Sequence, residues 1–481
     1  MEETKFEAVI GLEVHIQLAT RSKAFCGDDT TFGAEPNTHV GIISLGHPGV
    51  LPKANSKQIE YAVRLGLALG CQINPTNTFD RKNYFYADLP KGYQITQDRA
   101  PICIGGQLPI KMGEEWRNVQ IHHIHMEEDA GKSIHTADPK NSLIDLNRAG
   151  VPLLELVTEP DLRTAEEVDA FMSGMRQLVR YLGVSDGNME QGSMRCDVNV
   201  SIRPEGADYL MDRCEIKNVN SMRYARQAIA YEIQRQEQIV RSGGTVKQQT
   251  LNFDPATGVT APLREKEDAH DYRYFPEPDL PPVVLGKEYV NEIEQSLPGL
   301  PWQLYHSFRE QYQLFDYDAT ILVADLDTAV AYQTFCQETK NYKAASNLMI
   351  NKILPYCQEH QMAASQFPIS FPSLAKFITL IDENKVSNTI AYQRLFPALL
   401  EQPESEPLKL AESMNLIQSS DTDFLEGIAQ EVLEAFPDKV AVYKKGKKGL
   451  IGFFMGELMK RSKGKADPKA ANQLLRKLLD S

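Results

Sequence analysis

The chain has 481 residues, too many for one ordinary core, so two or three domains are expected. A formal charge of −14 argues against a nonspecific coat for nucleic acid, and no apolar run is long enough to span a bilayer. The seven cysteines are scattered, odd in number and free of CxxC spacing, and the start MEETKFEAVIGLEVHIQL shows no secretory signal. Reduced thiols in a cytoplasmic protein are expected.

Along the chain, Ile10 to Leu18 alternates strictly. Ile10, Leu12, Val14, Ile16 and Leu18 share one face of a predicted strand, and Gly11, Glu13, His15 and Gln17 share the other. His125 to Ser133, HMEEDAGKS, crowds Glu127, Glu128 and Asp129 together. Val151 to Val157 is aliphatic except for Glu155, which predicts a buried strand holding one acid that must be paired, hydrogen-bonded or bound to a cation. Arg195 to Arg203 alternates again, with Asp197 and Asn199 on its polar face, and Cys214 to Asn218 sets Glu215 and Lys217 on one side. The prolines of Phe275 to Pro282 and the polar break Glu401 to Pro407 punctuate the rest of the chain. The expected fold is α+β: a large β-rich cradle domain with a polar concave sheet face (1–294), an all-helical domain (295–406) and a small helical basic tail domain (407–481). From Lys439 onward twelve Lys/Arg stand against three acids, which suits contact with a phosphate backbone at one end of the molecule.

A half-wet antiparallel sheet explains any one of these strands by itself. The choice of polar groups points further, because carboxylates converging on one face repel unless a cation intervenes. Oxygen-rich ligands with one imidazole suit Mg²⁺ or Mn²⁺, and Mg²⁺ bridges to substrate phosphates. The candidates are Glu13, His15, Glu128, Glu155, Asp197 and Glu215. Other motifs fail. AGKS (Ala130 to Ser133) has Met126 where a P-loop needs glycine, and His122, His123 and His125 form no HExxH. Those histidines read as strand residues, with His125 the one to test. Four glycines, Gly446, Gly449, Gly452 and Gly456, recur near one helical turn apart, and close helix packing is the simpler expectation for the last two.

Taken together, IGLEVHIQL, FGAEPNT (Phe32 to Thr38), FDRKNYFYADLPKGYQIT (Phe79 to Thr96), HMEEDAGKS, DLNRAGVPLLELVTEPDLR (Asp145 to Arg163), EQGSMRCDVNVSIRP (Glu190 to Pro204), EIKNVNS (Glu215 to Ser221), DYRYFPEPDLPP (Asp271 to Pro282) and the C-terminal run Gly446 to Leu475 resemble the B subunits of tRNA-dependent amidotransferases nearly end to end. The resemblance implies a carbon–nitrogen ligase with glutamine as amido donor. Its cradle uses ATP and Mg²⁺ to phosphorylate the side-chain carboxylate of mischarged Glu-tRNA(Gln), and of Asp-tRNA(Asn), before ammonia displaces phosphate. It implies His15, Glu128 and Glu155 as Mg²⁺ ligands, with Glu13, Asp197 and Glu215 as a second cation set. Lys82, Asn83, Tyr84, Lys217 and Arg273 are the corresponding substrate or nucleotide candidates. Tail residues Lys444, Lys445, Lys447, Lys448, Lys460, Arg461 and Lys463 are expected to meet tRNA. No glutaminase signature is present, so ammonia is expected through a channel from an amidase-type A subunit, with a small C subunit completing a heterotrimer. Many relatives carry a zinc knuckle around FGAEPN. Here only Cys26 survives, the other ligands aligning with Asp28, Gly41 and Ser44, so no zinc is expected. A catalytically silent tRNA-binding scaffold and a metal-dependent nuclease are the competing readings.

Overall fold

The computed structural model describes residues 4–135, 141–217, 219, 221–265, 272–418, 422–462, 466 and 468–480. It divides into two compact units, Met1–Leu304 and Tyr305–Ser481.

The first unit is a mixed sheet backed by helices. In chain order the elements that matter are β1 (Phe6–Gln17), α1 (Ser56–Ala68), β2 (Asp80–Asn83), β3 (Tyr93–Thr96) and β4 (Glu115–Glu128). They are followed by β5 (Pro152–Thr158), α2 (Ala165–Tyr181), β6 (Met194–Pro204), β7 (Cys214–Lys217), α3 (Met222–Arg241), β8 (Gln249–Asp254) and β9 (Val259–Glu265). The large sheet runs β9-β8-β7-β6-β1-β5-β4 and continues through the short strands Cys103–Ile104 and Gln72–Ile73. All of these pairings are antiparallel except β7 with β8. β2 and β3 form a separate hairpin-like pair, joined at its edge by Phe275–Pro276.

Strand period sorts the side chains. Ile10, Leu12, Val14 and Ile16 of β1, Leu154 and Leu156 of β5, and Cys196, Val198 and Val200 of β6 enter one core with α1, α2 and α3. The helices start where their sequences say. Asn55 caps α1 through the Lys57 N–H at 2.9 Å, Thr164 and Glu167 form a reciprocal capping box on α2, and Ser221 caps α3. Because the helices claim the apolar face, the polar set of each strand is left on the opposite side.

The second unit is helical, with no strand among its described residues. Its last part has a core of its own. α4 (Thr422–Ala435), α5 (Pro437–Lys444), α6 (Ile451–Arg461) and α7 (Pro468–Asp480) bury Leu425, Val432, Tyr443, Phe454, Leu458 and Leu475 together.

Candidate metal and active site

Antiparallel register puts His125 of β4, Glu155 of β5, His15 of β1 and Arg195 of β6 in one row across four strands. Glu13 stands one step along β1, opposite Asp197, and Glu127 one step along β4. The side chains converge. His15 Nε2 lies 3.2 Å from Glu155, 3.7 Å from Glu13 and 3.7 Å from Glu127. His125 Nε2 lies 3.6 Å from both Glu127 and Glu155.

Burial opposes the charged forms of His15, His125 and Glu155, and for these three the partners decide the outcome. Burial would drive the His15 imidazole down, yet Glu155, Glu127 and Glu13 push it up to about 9. His125 is raised in the same way by Glu155 and Glu127 against its burial. Burial favours the neutral form of Glu155, but His125 and His15 hold it well below the ordinary carboxylate range. Burial and then Glu155 raise Glu13 to about 7. Acids that share space in this way crowd negative charge, which a divalent cation relieves.

Two groups of ligand atoms fit such a cation among the described residues: Glu13, His15 and Glu155, and His125, Glu127 and Glu155, with all atoms of each group within 4.8 Å of one another. The donors are carboxylate oxygens with one imidazole per group, a set suited to Mg²⁺ or Mn²⁺. Glu155 is common to both.

The remaining expected residues fall in several places. Glu128 is not in either group. It turns to the other side of β4, where Lys91 pairs with it and the Ile95 N–H donates to it at 3.0 Å. Asp197 and Glu215 flank the Lys217 ammonium at 2.9 and 3.0 Å, and Thr250 donates to Glu215 at 2.9 Å. Lys82 stands 4.9 Å over the Tyr272 ring; burial disfavours its charge, but the fields of Glu127 and Glu155 raise its pKa. Asn83 holds backbone, its Nδ2 donating to the carbonyls of Tyr272 at 3.2 Å and Arg273 at 2.7 Å, where Arg273 sits at φ +46°. Tyr84 donates to Gln94 at 3.4 Å and meets Tyr86 and Tyr272 edge-on.

Glu127 and Asp129 stand out in the sequence only as members of an acidic crowd. Strand parity separates them from Glu128: His125 and Glu127 share a face, so Glu128 cannot. Asp129 is buried and gathers Arg195 at 2.8 Å, Gln17 at 2.6 Å and Arg148 at 3.7 Å, closing the β6 end of the row.

Comparisons with known proteins give the family of the chain. Residues 8–291 match the family model described as the GatB/GatE catalytic domain, and residues 331–479 match one described as a GatB domain. The aspartyl/glutamyl-tRNA(Asn/Gln) amidotransferase B subunit of Persephonella marina is 45% identical over 99% of this chain and 100% of its own length. The protein of the same name from Trichlorobacter lovleyi is 46% identical over 99% of each chain, and that of Myxococcus xanthus 45% over the whole of both. The chain belongs to the GatB/GatE family. Within this family member the acidic row lies in the catalytic-domain match, and the basic tail lies in the second.

Cys26, Asp28, Gly41 and Ser44 are joined by hydrogen bonds. Asp28 accepts from the Gly41 N–H at 2.7 Å and from Ser44 Oγ at 2.6 Å, and Ser44 lies 3.5 Å from Cys26 Sγ. The buried Lys23 ammonium donates to the carbonyls of His39 and Leu146 beside them. In the tail, Lys444, Lys445, Lys447, Lys448, Lys460 and Arg461 are exposed, with Lys448 paired to Asp480 and Arg461 donating to the Glu431 carbonyl; Lys463 lies outside the described residues. A Cβ added at Gly452 or Gly456 would meet nothing within 4 Å, so close helix packing does not explain either glycine among the described residues. No helix among those residues is long and apolar enough to cross a membrane.

Proposed function

We propose that this chain is the B subunit of a tRNA-dependent amidotransferase, using ATP and Mg²⁺ to convert mischarged Glu-tRNA(Gln), and Asp-tRNA(Asn), to the amide. The observation that carries this reading is the convergence of Glu13, His15, His125, Glu127 and Glu155 on one sheet face of a chain collinear with relatives of that name.

A carboxylate is a poor electrophile. Transfer of the γ-phosphoryl group of ATP to its oxygen supplies a leaving group. The ammonia nitrogen then bonds to the carbonyl carbon, the bond to phosphate breaks and the nitrogen sheds a proton. Glu13, His15 and Glu155 would hold one Mg²⁺, and His125 and Glu127 would share Glu155 in holding a second. When bound, Mg²⁺ neutralises and clamps the oxygens of a transferring phosphoryl group. Lys82, which feels the charges of Glu127 and Glu155, would meet a phosphate or the substrate carboxylate. Asp197 and Glu215 hold Lys217 beside Glu13, and Asp129 fixes Arg195. Glu128 and Lys91 anchor the end of β4 from behind. Asn83 fixes the Tyr272–Arg273 segment, which brings Arg273 and Tyr84 to the rim.

Ammonia comes from an amidase-type A subunit, with a small C subunit completing the complex, and the site of action is the cytoplasm, where seven free thiols are at home. Residues 295–406 and 407–481 act as separate helical modules, the tail meeting tRNA phosphates, and the Asp28 hydrogen bonds take the place of a structural zinc.

The test is incubation of the full chain with mischarged tRNA, ATP, Mg²⁺ and free ammonia. Amidated aminoacyl-tRNA is expected, and Glu155→Gln should remove it while tRNA affinity stays within about three-fold. Intact tRNA without amide would leave a scaffold, and shortened RNA a nuclease.

A further inference from the structure

Three imidazoles stand in file on β4. His122 Nδ1 lies 2.7 Å from His123 Nδ1, and His123 Nε2 lies 3.1 Å from His125 Nδ1, with the His123 and His125 rings stacked at 5.2 Å between centroids. The file runs inward: His122 is exposed, His123 half-buried and His125 buried. At its inner end His125 Nε2 faces Glu127 and Glu155. The amidation chemistry uses only this last ring.

A neutral imidazole carries one N–H and one lone pair, so each ring contact needs a donor on one side and an acceptor on the other. Suppose His125 offers the Nε2 lone pair to a cation. Its proton is then on Nδ1 and is donated to His123 Nε2. His123 in turn carries its proton on Nδ1 and donates to His122 Nδ1. This single assignment satisfies both contacts and leaves the ligand atom free. The reverse assignment puts a proton on His125 Nε2, between two carboxylates, and removes it as a ligand.

We propose that His123 is a positioning residue that accepts the Nδ1–H of His125 and, backed by His122, holds that ring in the tautomer and orientation that bind a divalent cation with Glu127 and Glu155. The inference rests on the cation reading of the row. A ligating imidazole is generally fixed by whatever its second nitrogen bonds to, and loss of that partner typically weakens metal binding roughly 10–100-fold.

The test titrates Mn²⁺ alone into the full chain by calorimetry, with thermal melting alongside, for the unsubstituted protein, His123→Leu and His123→Gln. Leucine keeps apolar bulk and removes the acceptor, whereas glutamine offers an Oε1 at similar reach. His123→Leu should lower Mn²⁺ affinity roughly 10–100-fold while His123→Gln stays within about three-fold of the unsubstituted protein. Unchanged affinity in His123→Leu would overturn the positioning role and leave the cation reading standing. Equal losses in both variants, with equally lowered melting, would mark a packing role and also overturn it. An unsubstituted chain that binds no Mn²⁺ would remove the cation reading and this inference with it.

Discussion

The Glu155 carboxylate touches His15 at 3.2 Å and His125 at 3.6 Å, and through them it sets the proton content of the whole row. Its effect on His15 has a definite sign. The folded imidazole, pushed up to about 9 by Glu155, Glu127 and Glu13 against its burial, lies above the unfolded value near 6.5. The stability this brings is fully present below pH 6.5 and is lost as pH rises through 9. Glu13, raised to about 7 by burial and by Glu155, acts in the same direction, losing its contribution between pH 4.5 and 7. In the presence of a chelator the melting temperature should therefore fall between pH 6.5 and 9.5, with His15 accounting for about 3 kcal/mol. Glu155→Gln should flatten that slope, since His15 loses its strongest partner. A melting temperature independent of pH across this interval in the unsubstituted protein would show that these acids do not hold the imidazole charged.

At the scale of the element, β4 decides which of two adjacent acids faces the row. Register sets Glu127 across from Leu153 and His125 across from Glu155, so Glu127 shares their face and Glu128 does not. The two glutamine substitutions therefore make opposite predictions. Glu127→Gln should weaken Mn²⁺ binding at least 10-fold. Glu128→Gln should leave Mn²⁺ affinity within about three-fold but cost about 3 kcal/mol of stability, because it strands the Lys91 ammonium beside an uncharged partner in a buried place. Mn²⁺ titration and denaturant melts of the two variants separate the assignments, and loss of affinity in Glu128→Gln would return that residue to the metal set. Much of this layout is legible in the residues alone. The alternation of Ile10 to Leu18 and of Arg195 to Arg203 defines both faces of β1 and β6, because one face must enter a core. The aliphatic run around Glu155 marks a strand with one acid that needs partners. Pairing and register are not legible in that way, since they depend on residues far away in the chain. His125 meets Glu155 only through the β4–β5 pairing. That Asp197 and Glu215 share Lys217 is visible only once β6 and β7 pair. Asn83 reads as a polar site residue until the backbone of Tyr272 and Arg273 arrives to occupy it.

For the molecule as a whole, the net charge changes sign along the chain: the residues before Lys439 are acidic on balance, and from Lys439 onward twelve Lys/Arg stand against three acids. The tail's apolar residues form their own core, so its lysines are not needed to hold it together. Lys444, Lys445, Lys447 and Lys448 follow one another at the end of α5 and in the turn beyond it, all of them exposed. Apart from Lys448, which pairs with Asp480, such a cluster is open to phosphates, whose condensed counterions it would release. Replacing all four by alanine should weaken tRNA binding and reduce the magnitude of the slope of log affinity against log salt by about 3, as expected for four lost phosphate contacts at roughly 0.7–0.9 each. Metal binding in the row, which shares no residue with the tail, should not change. The measurement is a salt series of tRNA affinity for the full chain and its four-alanine variant. An unaltered slope would assign these lysines to solubility and place the RNA contacts elsewhere. A reduced slope with unaltered Mn²⁺ affinity would separate the holding of tRNA from the chemistry on its acyl end.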